Sequence, residues 1–223
     1  MESYQTTITE SWYETPDIKF FTLNRPEGFT YDAGQYINLE IERDGETRFK
    51  PYSLYSHPDD EDLTLCVKLV EDGFASSFFR DTEPHTDLVM HGPLGSFTAD
   101  KEIMHHALLS TGAGIAPMNG IARELLQGQQ NNVSLYHGVK TPKHRIRPSS
   151  FQDMESAHQA FSYYPVFSRD KSGERTGYVQ DHVSGDPNTA YYLCGVQDFV
   201  EETKKFLRSE QVPQALIKQE RFT

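Results

Sequence analysis

Cysteine is scarce in this chain, with Cys66 and Cys194 the two thiols among 223 residues. Two cysteines cannot hold an iron–sulfur cluster of the usual kind, which takes four. A disulfide between them is conceivable, but a reduced, cytoplasmic state is the simpler reading. Positive charge is also short: Lys and Arg total 21 against 33 Asp and Glu, a formal net charge of −12. Such a balance makes the chain a poor candidate for non-specific binding along a phosphate backbone. No apolar run approaches the length that spans a bilayer. The opening "MESYQTTITESWYE" has neither the basic flank nor the apolar segment of a secretory signal. There is no internal repeat and no low-complexity tract. The expectation is a cytoplasmic, monomeric protein with no membrane or nucleic-acid partner and no metal site.

What is present divides into two halves. Up to about Asp100, strand-like segments alternate with turns: "SYQTTITESWYE", "DIKFFTL", "QYINLEIE", "LTLCVKLV" and "DLVMHG", separated by "RPEG", "DAG", "RDG" and "DDED". Many short strands at this spacing predict a sandwich or small barrel. Beyond it, strand-like runs alternate with helical ones. "HHALLST" precedes "GIAPMNGIARELLQ", "VSLYHGV" precedes a helix from Pro148 to His158, and "FSYYPVF" precedes "GYVQDHVS". "TAYYLCG" precedes "QDFVEETKKFLRS", and "QALIKQERF" closes the chain. That alternation predicts a parallel α/β sheet. The division falls near Phe97 to Lys101, giving expected domains over residues 1–99 and 100–223.

Three stretches carry chemistry. "RFKPYSLYSHP" sets Lys50, Pro51, Tyr52 and Ser53 in a row, which by itself reads as an edge strand with a kink, since proline lacks the N–H a central strand needs. "LLSTGAGIAPMNGIAREL" ends a buried strand at Ser110 and Thr111. Gly112 and Gly114 then turn the chain into a helix with Pro117 in its first turn. A helix N-terminus at the carboxyl end of a parallel strand suits phosphate, although a plain strand-to-helix connection has the same signature. "AYYLCGVQDFVEETKKF" repeats the arrangement, with Cys194 at a strand end and Gly195 beside it. A buried cysteine is usually inert packing, but this one is placed to touch a ligand. His105 and His106 point to opposite faces of a strand and, with the scattered remaining histidines, read as structural.

Taken together, these motifs resemble the ferredoxin–NADP reductase superfamily, in order and over nearly the whole chain. "KPYSLYS" is similar to the family's R-x-Y-S flavin motif, and "LCVKLVEDGFASSFF" to its next strand and following turn. "GPLGSF" is similar to G-P-x-G-x-F, "STGAGIAP" to T-G-T-G-I-A-P, "CGVQDF" to C-G-P-x-x-M, and "ERF" to the terminal E-x-aromatic. The resemblance implies an N-terminal antiparallel Greek-key β-barrel that binds FAD, then a parallel five-stranded α/β domain that binds NADPH, with NADH possible. It implies that Tyr52 packs on the isoalloxazine, that the Ser53 hydroxyl lies near N5, and that Lys50 pairs with the diphosphate. Pro51, Val67, Lys68 and the turn from Gly73 through Ala75, Ser76 and Ser77 complete the FAD contacts. Thr111, Gly112, Gly114, Pro117 and Gly195 would hold the nicotinamide nucleotide. Cys194 would pack on the nicotinamide, Glu220 would relay a proton, and Phe222 would cover the other flavin face.

The sequence departs from the pattern in three places. Lys50 stands for arginine and lacks its bidentate fork, so Arg48 is a candidate to assist. Ala113 stands for threonine, and Val196 for proline. Ser168, Arg169, Arg175 and Tyr178 in "VFSRDKSGERTGYVQ" resemble a 2′-phosphate and adenine site, with Asp170 as a counter-indication. The electron carrier implied is a separate ferredoxin or flavodoxin. "KTPKHRIR" at 140–147 is the densest basic cluster for it, or for adenosine phosphate, or for neither. Two alternatives stay open: an NADH-dependent reductase component of an oxygenase or free-flavin reductase, and a non-catalytic subunit that kept the fold.

Overall fold

The structure, a computed structural model, describes residues 2–128, 131–171 and 175–222. Six strands form the first half: β1 (Ser3–Thr15), β2 (Ile18–Leu23), β3 (Tyr36–Arg43), β4 (Glu46–Ser53), β5 (Leu63–Lys68) and β6 (Asp87–Leu94). Helix α1 (Phe74–Asp81) lies between the last two. The strands pair antiparallel in the order β4-β3-β6-β1-β2-β5. The two edges then meet, with Leu54 bridged to Leu65 and the Tyr55 N–H donating to Thr64 O at 2.8 Å. The sheet therefore closes on itself as a barrel, which removes most of its exposed edge. Strict alternation in β3 turns Ile37, Leu39 and Ile41 inward against Phe21, Leu65 and Met90. Pro51 sits in β4, whose regular ladder is with β3 alone. An edge position is where a missing N–H is tolerated.

The second half is a parallel sheet of β7 (His105–Thr111), β8 (Asn132–Val139), β9 (Phe161–Phe167), β10 (Thr189–Val196) and β11 (Ile217–Phe222). Its order is β11-β10-β7-β8-β9. Helices α2 (Ile115–Leu126) and α3 (Pro148–Ala157) cover one face, where Leu108, Leu135 and Tyr163 meet Ile121 and Phe151. Helix α4 (Gln197–Ser209) covers the other, where Leu109 and Leu193 meet Val200 and Leu207. Successive residues of β7 thus serve opposite faces, as a doubly covered sheet requires. "GYVQDHVS" does not form a helix of its own but a single 3-10 turn, Val179–His182. Gly177, at φ +103°, precedes it and the "GDP" turn follows, leaving room for little more.

The halves share one apolar cluster, in which Ile18, Phe20, Tyr55 and Cys66 of the barrel pack with Met118, Ile121 and Ala122 of α2. Polar contacts ring it. Arg123 forks onto both oxygens of Asp60 at 2.6 Å, Asn119 Nδ2 donates to Tyr55 O at 2.8 Å, and His57 Nε2 meets Glu124 Oε2 at 2.8 Å.

Candidate functional site

Along β4 the side chains of Arg48, Lys50 and Tyr52 share one face, two residues apart. That face meets α1: the Tyr52 ring stands edge-on to Phe79 at 5.2 Å, and the Arg48 guanidinium lies 4.4 Å over Phe74. Burial pushes the Tyr52 hydroxyl well above its ordinary range. Arg48 is held by Glu46 at 2.7 Å, which occupies the assisting cation. Lys50, between them, has no hydrogen bond or ion pair among the described residues. Gly73 leads into α1, where a Cβ would strike Val70 Cγ2 at 2.6 Å. The Ser76 hydroxyl accepts from the Val70 N–H at 3.0 Å, so Ser76 offers a ligand its backbone rather than its side chain. Ala75 and Ser76 lie in the first turn, and Ser77 N–H already donates to Gly73 O. Val67 is buried in the barrel core and Lys68 is exposed at the strand end.

The carboxyl end of β4 meets the last strand of the other sheet. Ser53 Oγ donates to Glu220 Oε1 at 2.5 Å. Parallel pairing sets Glu220 opposite Cys194 and Phe222 opposite Val196. Burial raises the Glu220 carboxyl pKa, and the Ser53 hydrogen bond partly offsets that. Cys194 is fully buried, and burial first, then the Glu220 charge, pushes its thiol far up. It is a thiol and not a thiolate. Phe222 is half-buried against the shared apolar cluster.

The glycine turn is built from backbone. Gly114 leaves space for β10: a Cβ there would lie 2.3 Å from Cys194 O. A Cβ on Gly195, at φ +153°, would lie 2.1 Å from Thr111 Oγ1. These two glycines let the strand ends touch, because the space a Cβ would take at each is occupied by protein. Gly112, at φ +52°, is the open one, with nothing within 4 Å of its would-be Cβ. Pro117 takes the third position of α2, where its missing N–H leaves no gap.

Beneath this turn lies a histidine that the sequence reading grouped with the structural ones without assigning it a partner. His137, opposite Ser110 in the β7–β8 ladder, is fully buried. Its Nε2 lies 3.1 Å from Gly112 O and its Nδ1 3.4 Å from the Tyr163 hydroxyl. Burial pushes its pKa down to about 4, so the neutral ring donates from Nε2 and accepts at Nδ1. The signal was a histidine within "LYHGV", at an inward strand position immediately before a glycine.

Farther along the sheet edge, Ser168 and Arg169 continue past β9. Their N–H groups donate to Val139 O at 2.9 Å and Lys140 O at 2.8 Å. Arg169 is exposed and next to Lys140 as a result. The Arg175 guanidinium lies 4.5 Å over Tyr164, and Tyr178 is exposed.

The donor set fits both dinucleotides. An uncompensated cation beside the first turn of α1 suits a diphosphate, and the open space at Gly112 admits a second ligand's backbone-close approach. Comparison with known proteins agrees. Residues 5–99 match the model of the oxidoreductase FAD-binding domain, and residues 108–205 that of the oxidoreductase NAD-binding domain. A ferredoxin–NADP reductase B of Sorangium cellulosum is 29% identical, with 93% of each chain covered. An Amycolatopsis cytochrome P450 reductase superposes at TM-score 0.92 with 28% identity, covering all of this chain and 70% of that one. A ferredoxin NADP+ reductase of Neisseria gonorrhoeae, solved with FAD and NADP, shares the fold at TM-score 0.86 and 21% identity over 99% of both chains. Reductase subunits of two glycine betaine monooxygenases are longer: the chain spans 58% and 46% of them. Among the described residues no helix is long and apolar enough to cross a membrane. The two domain matches, on one continuous fold that superposes end to end on these reductases, place the chain in the ferredoxin–NADP reductase superfamily, as an FAD-dependent oxidoreductase.

Proposed function

We propose that the chain takes hydride from NADPH and delivers single electrons to a separate ferredoxin or flavodoxin. The observation that carries this is the Ser53–Glu220 hydrogen bond. It joins the expected flavin strand to the C-terminal strand that also lies beside Cys194. FAD, when bound, supplies a centre that accepts hydride and releases electrons one at a time. The protein's part is to orient and to manage a proton. Lys50 and the first turn of α1 hold the diphosphate, and Tyr52 supplies a ring for the isoalloxazine. Ser53 Oγ presents a hydroxyl whose proton is directed at Glu220. Glu220, raised by burial, can hold or release a proton at Oε1 nearer neutrality than an ordinary carboxylate. Phe222 covers the site until nicotinamide displaces it. The chain's two cysteines cannot build a cluster, so the one-electron acceptor lies outside these residues.

NADPH over NADH rests on Arg169, Arg175 and Tyr178, and on Lys140 beside Arg169. Two charge-assisted hydrogen bonds at about 1.5–3 kcal/mol each favour NADPH by roughly two orders of magnitude or more. The alternative is an oxygenase-reductase reading, since some relatives are so named, among them a 2-halobenzoate 1,2-dioxygenase electron transfer component. One experiment separates them: anaerobic bleaching of the FAD-loaded protein by each nucleotide, with kcat/KM for both. Preference for NADPH, erased by Arg169→Ala with Arg175→Ala, supports the first reading. Equal or better use of NADH overturns it. Release of FMN rather than FAD, or no flavin binding with FAD in excess, would sink both.

A further inference from the structure

A cavity of about 340 Å³ lies between the barrel and helices α2 and α3, and shares no lining residue with the Ser53–Glu220 junction or the glycine turn. Its volume is in the range of small-molecule sites. Three aromatic rings stand on the barrel side. Trp12 stacks on Phe20 at 5.3 Å and 15°, and Tyr55 stands edge-on to Phe20 at 5.0 Å. Two arginines face them from the helices. Arg123 is neutralised by its fork onto Asp60. Arg147 is not: its guanidinium lies 5.8 Å over the Trp12 ring, with no carboxylate in ion-pair range among the described residues. Glu14, the acid nearest by sequence to Trp12, is held by the Arg147 backbone N–H at 2.9 Å and by Trp12 Nε1 at 3.4 Å.

Two further observations mark this place. Arg147 adopts φ 49°, ψ 45° immediately before Pro148, a left-handed conformation unfavourable for any side chain other than glycine and crowded further by the following proline. Held so, its guanidinium lies across the interface on β1. Tyr55 is 8% exposed and its hydroxyl, which faces the Arg147 side chain, makes no hydrogen bond of good geometry, which is uncommon for a buried polar atom. Aromatic walls, a planar cation outside ion-pair range of any carboxylate among the described residues, and a hydroxyl beside it match one ligand chemistry. A single free cation suits a monoanion better than a phosphate, and the guanidinium fork matches a carboxylate. We propose that this cavity binds an aromatic carboxylate, with its ring against Trp12 and Phe20 and its carboxylate on Arg147 beside the Tyr55 hydroxyl.

Trp12 is the only tryptophan in the chain, so its fluorescence reports on this wall alone. The FAD-loaded protein is titrated with benzoate, benzamide, cyclohexanecarboxylate and inorganic phosphate, with excitation at the red edge of the indole band. The expected result is a saturable change with benzoate, at least ~10-fold weaker with each of the other three. Arg147→Gln should weaken benzoate binding ~10-fold or more, and Tyr55→Phe, which keeps the ring, by ~3-fold or more. Tyr55→Phe keeps the test decisive if Arg147→Gln fails to fold. The proposal is overturned by no saturable change with benzoate, by phosphate or benzamide binding equally well, or by unaltered benzoate affinity in the folded variants.

Discussion

The barrel and the parallel sheet build their halves of the site from different materials. At the barrel, the groups proposed to meet a ligand are side chains on an edge strand: Lys50, with no partner among the described residues, and Tyr52 against Phe79. At the parallel sheet they are backbone. Thr111, Gly112, Gly114, Cys194 and Gly195 pass so close that two of the glycines have no room for a Cβ. The consequence is a difference in what mutation does. A side chain on an edge strand can change without disturbing the fold, so it tunes affinity. A backbone crossing cannot change without moving strands, so it couples binding to stability.

The sharpest way to break this comparison is to add single methyl groups. Gly195→Ala and Gly114→Ala each drive a Cβ into backbone or Thr111 at under 2.5 Å, and should each cost about 3 kcal/mol or more. Gly112→Ala meets open space and has only its φ of +52° against it, for about 1–2 kcal/mol. Urea midpoints rank the three. If Gly195→Ala is no worse than Gly112→Ala, the strand ends are not locked.

At the barrel the expectation is reversed. Lys50→Gln should leave the urea midpoint of the flavin-free protein unchanged and weaken FAD by about 2 kcal/mol, roughly 30-fold, as for a hydrogen bond to a charged group. Lys50→Arg should tighten it through the guanidinium fork. Equilibrium FAD titration checks both. Unaltered affinity in Lys50→Gln would mean the diphosphate lies elsewhere.

The same contrast explains what could be read from sequence. Strand alternation in "QYINLEIE" and the β-then-α/β order were legible because local periodicity and burial agree there. The Lys50–Ser53 stretch stood out because a candidate side-chain site leaves residue types in a row. Backbone sites leave only glycines, and a glycine does not say which way its empty side faces. Gly114 and Gly195 read as ligand cradles, and sequence alone did not show that the space a Cβ would take at each is occupied by Cys194 O and Thr111 Oγ1. His137 was read only as structural for a related reason: its partners, Gly112 and Tyr163, come from other elements. The interface cavity depends on residues from both ends of the chain, and no local pattern joins Trp12 to Arg147.

His137 gives the comparison a pH axis. Its folded pKa of about 4 lies below the ordinary 6.5, so on acidification the unfolded chain takes the proton first. The stability this contributes is whole above about pH 6.5 and is lost as pH falls toward 4, amounting to about 2 kcal/mol at pH 5. His106, also lowered by burial, acts with the same sign, and the raised Glu220 with the opposite one. The measurement is therefore a difference. His137→Gln, which keeps a donor for Gly112 O, should lose less stability between pH 7 and pH 5 than the wild type, by about 2 kcal/mol. Parallel pH profiles would show that the histidine is not held neutral.

Cys194 tests whether the two materials meet in one function. Its carbonyl belongs to the backbone crossing with Gly114, while its thiol lies against Glu220 on the side-chain network that runs to Ser53. The thiol is fully buried and held protonated, so it cannot act as a nucleophile, and any role it has is positional. Cys194→Ala keeps the backbone crossing and removes the sulfur. FAD affinity should therefore stay as in the wild type, because no diphosphate contact is touched. Flavin reduction at saturating NADPH should slow by ~10-fold, equivalent to ~1.4 kcal/mol of transition-state stabilisation, because the nicotinamide loses a packing surface beside Glu220. Stopped-flow reduction separates this from weaker nucleotide binding, which would raise KM and leave the saturated rate intact. A saturated rate equal to the wild type's, with the fold preserved, would reduce Cys194 to core packing and assign positioning to the glycine turn alone.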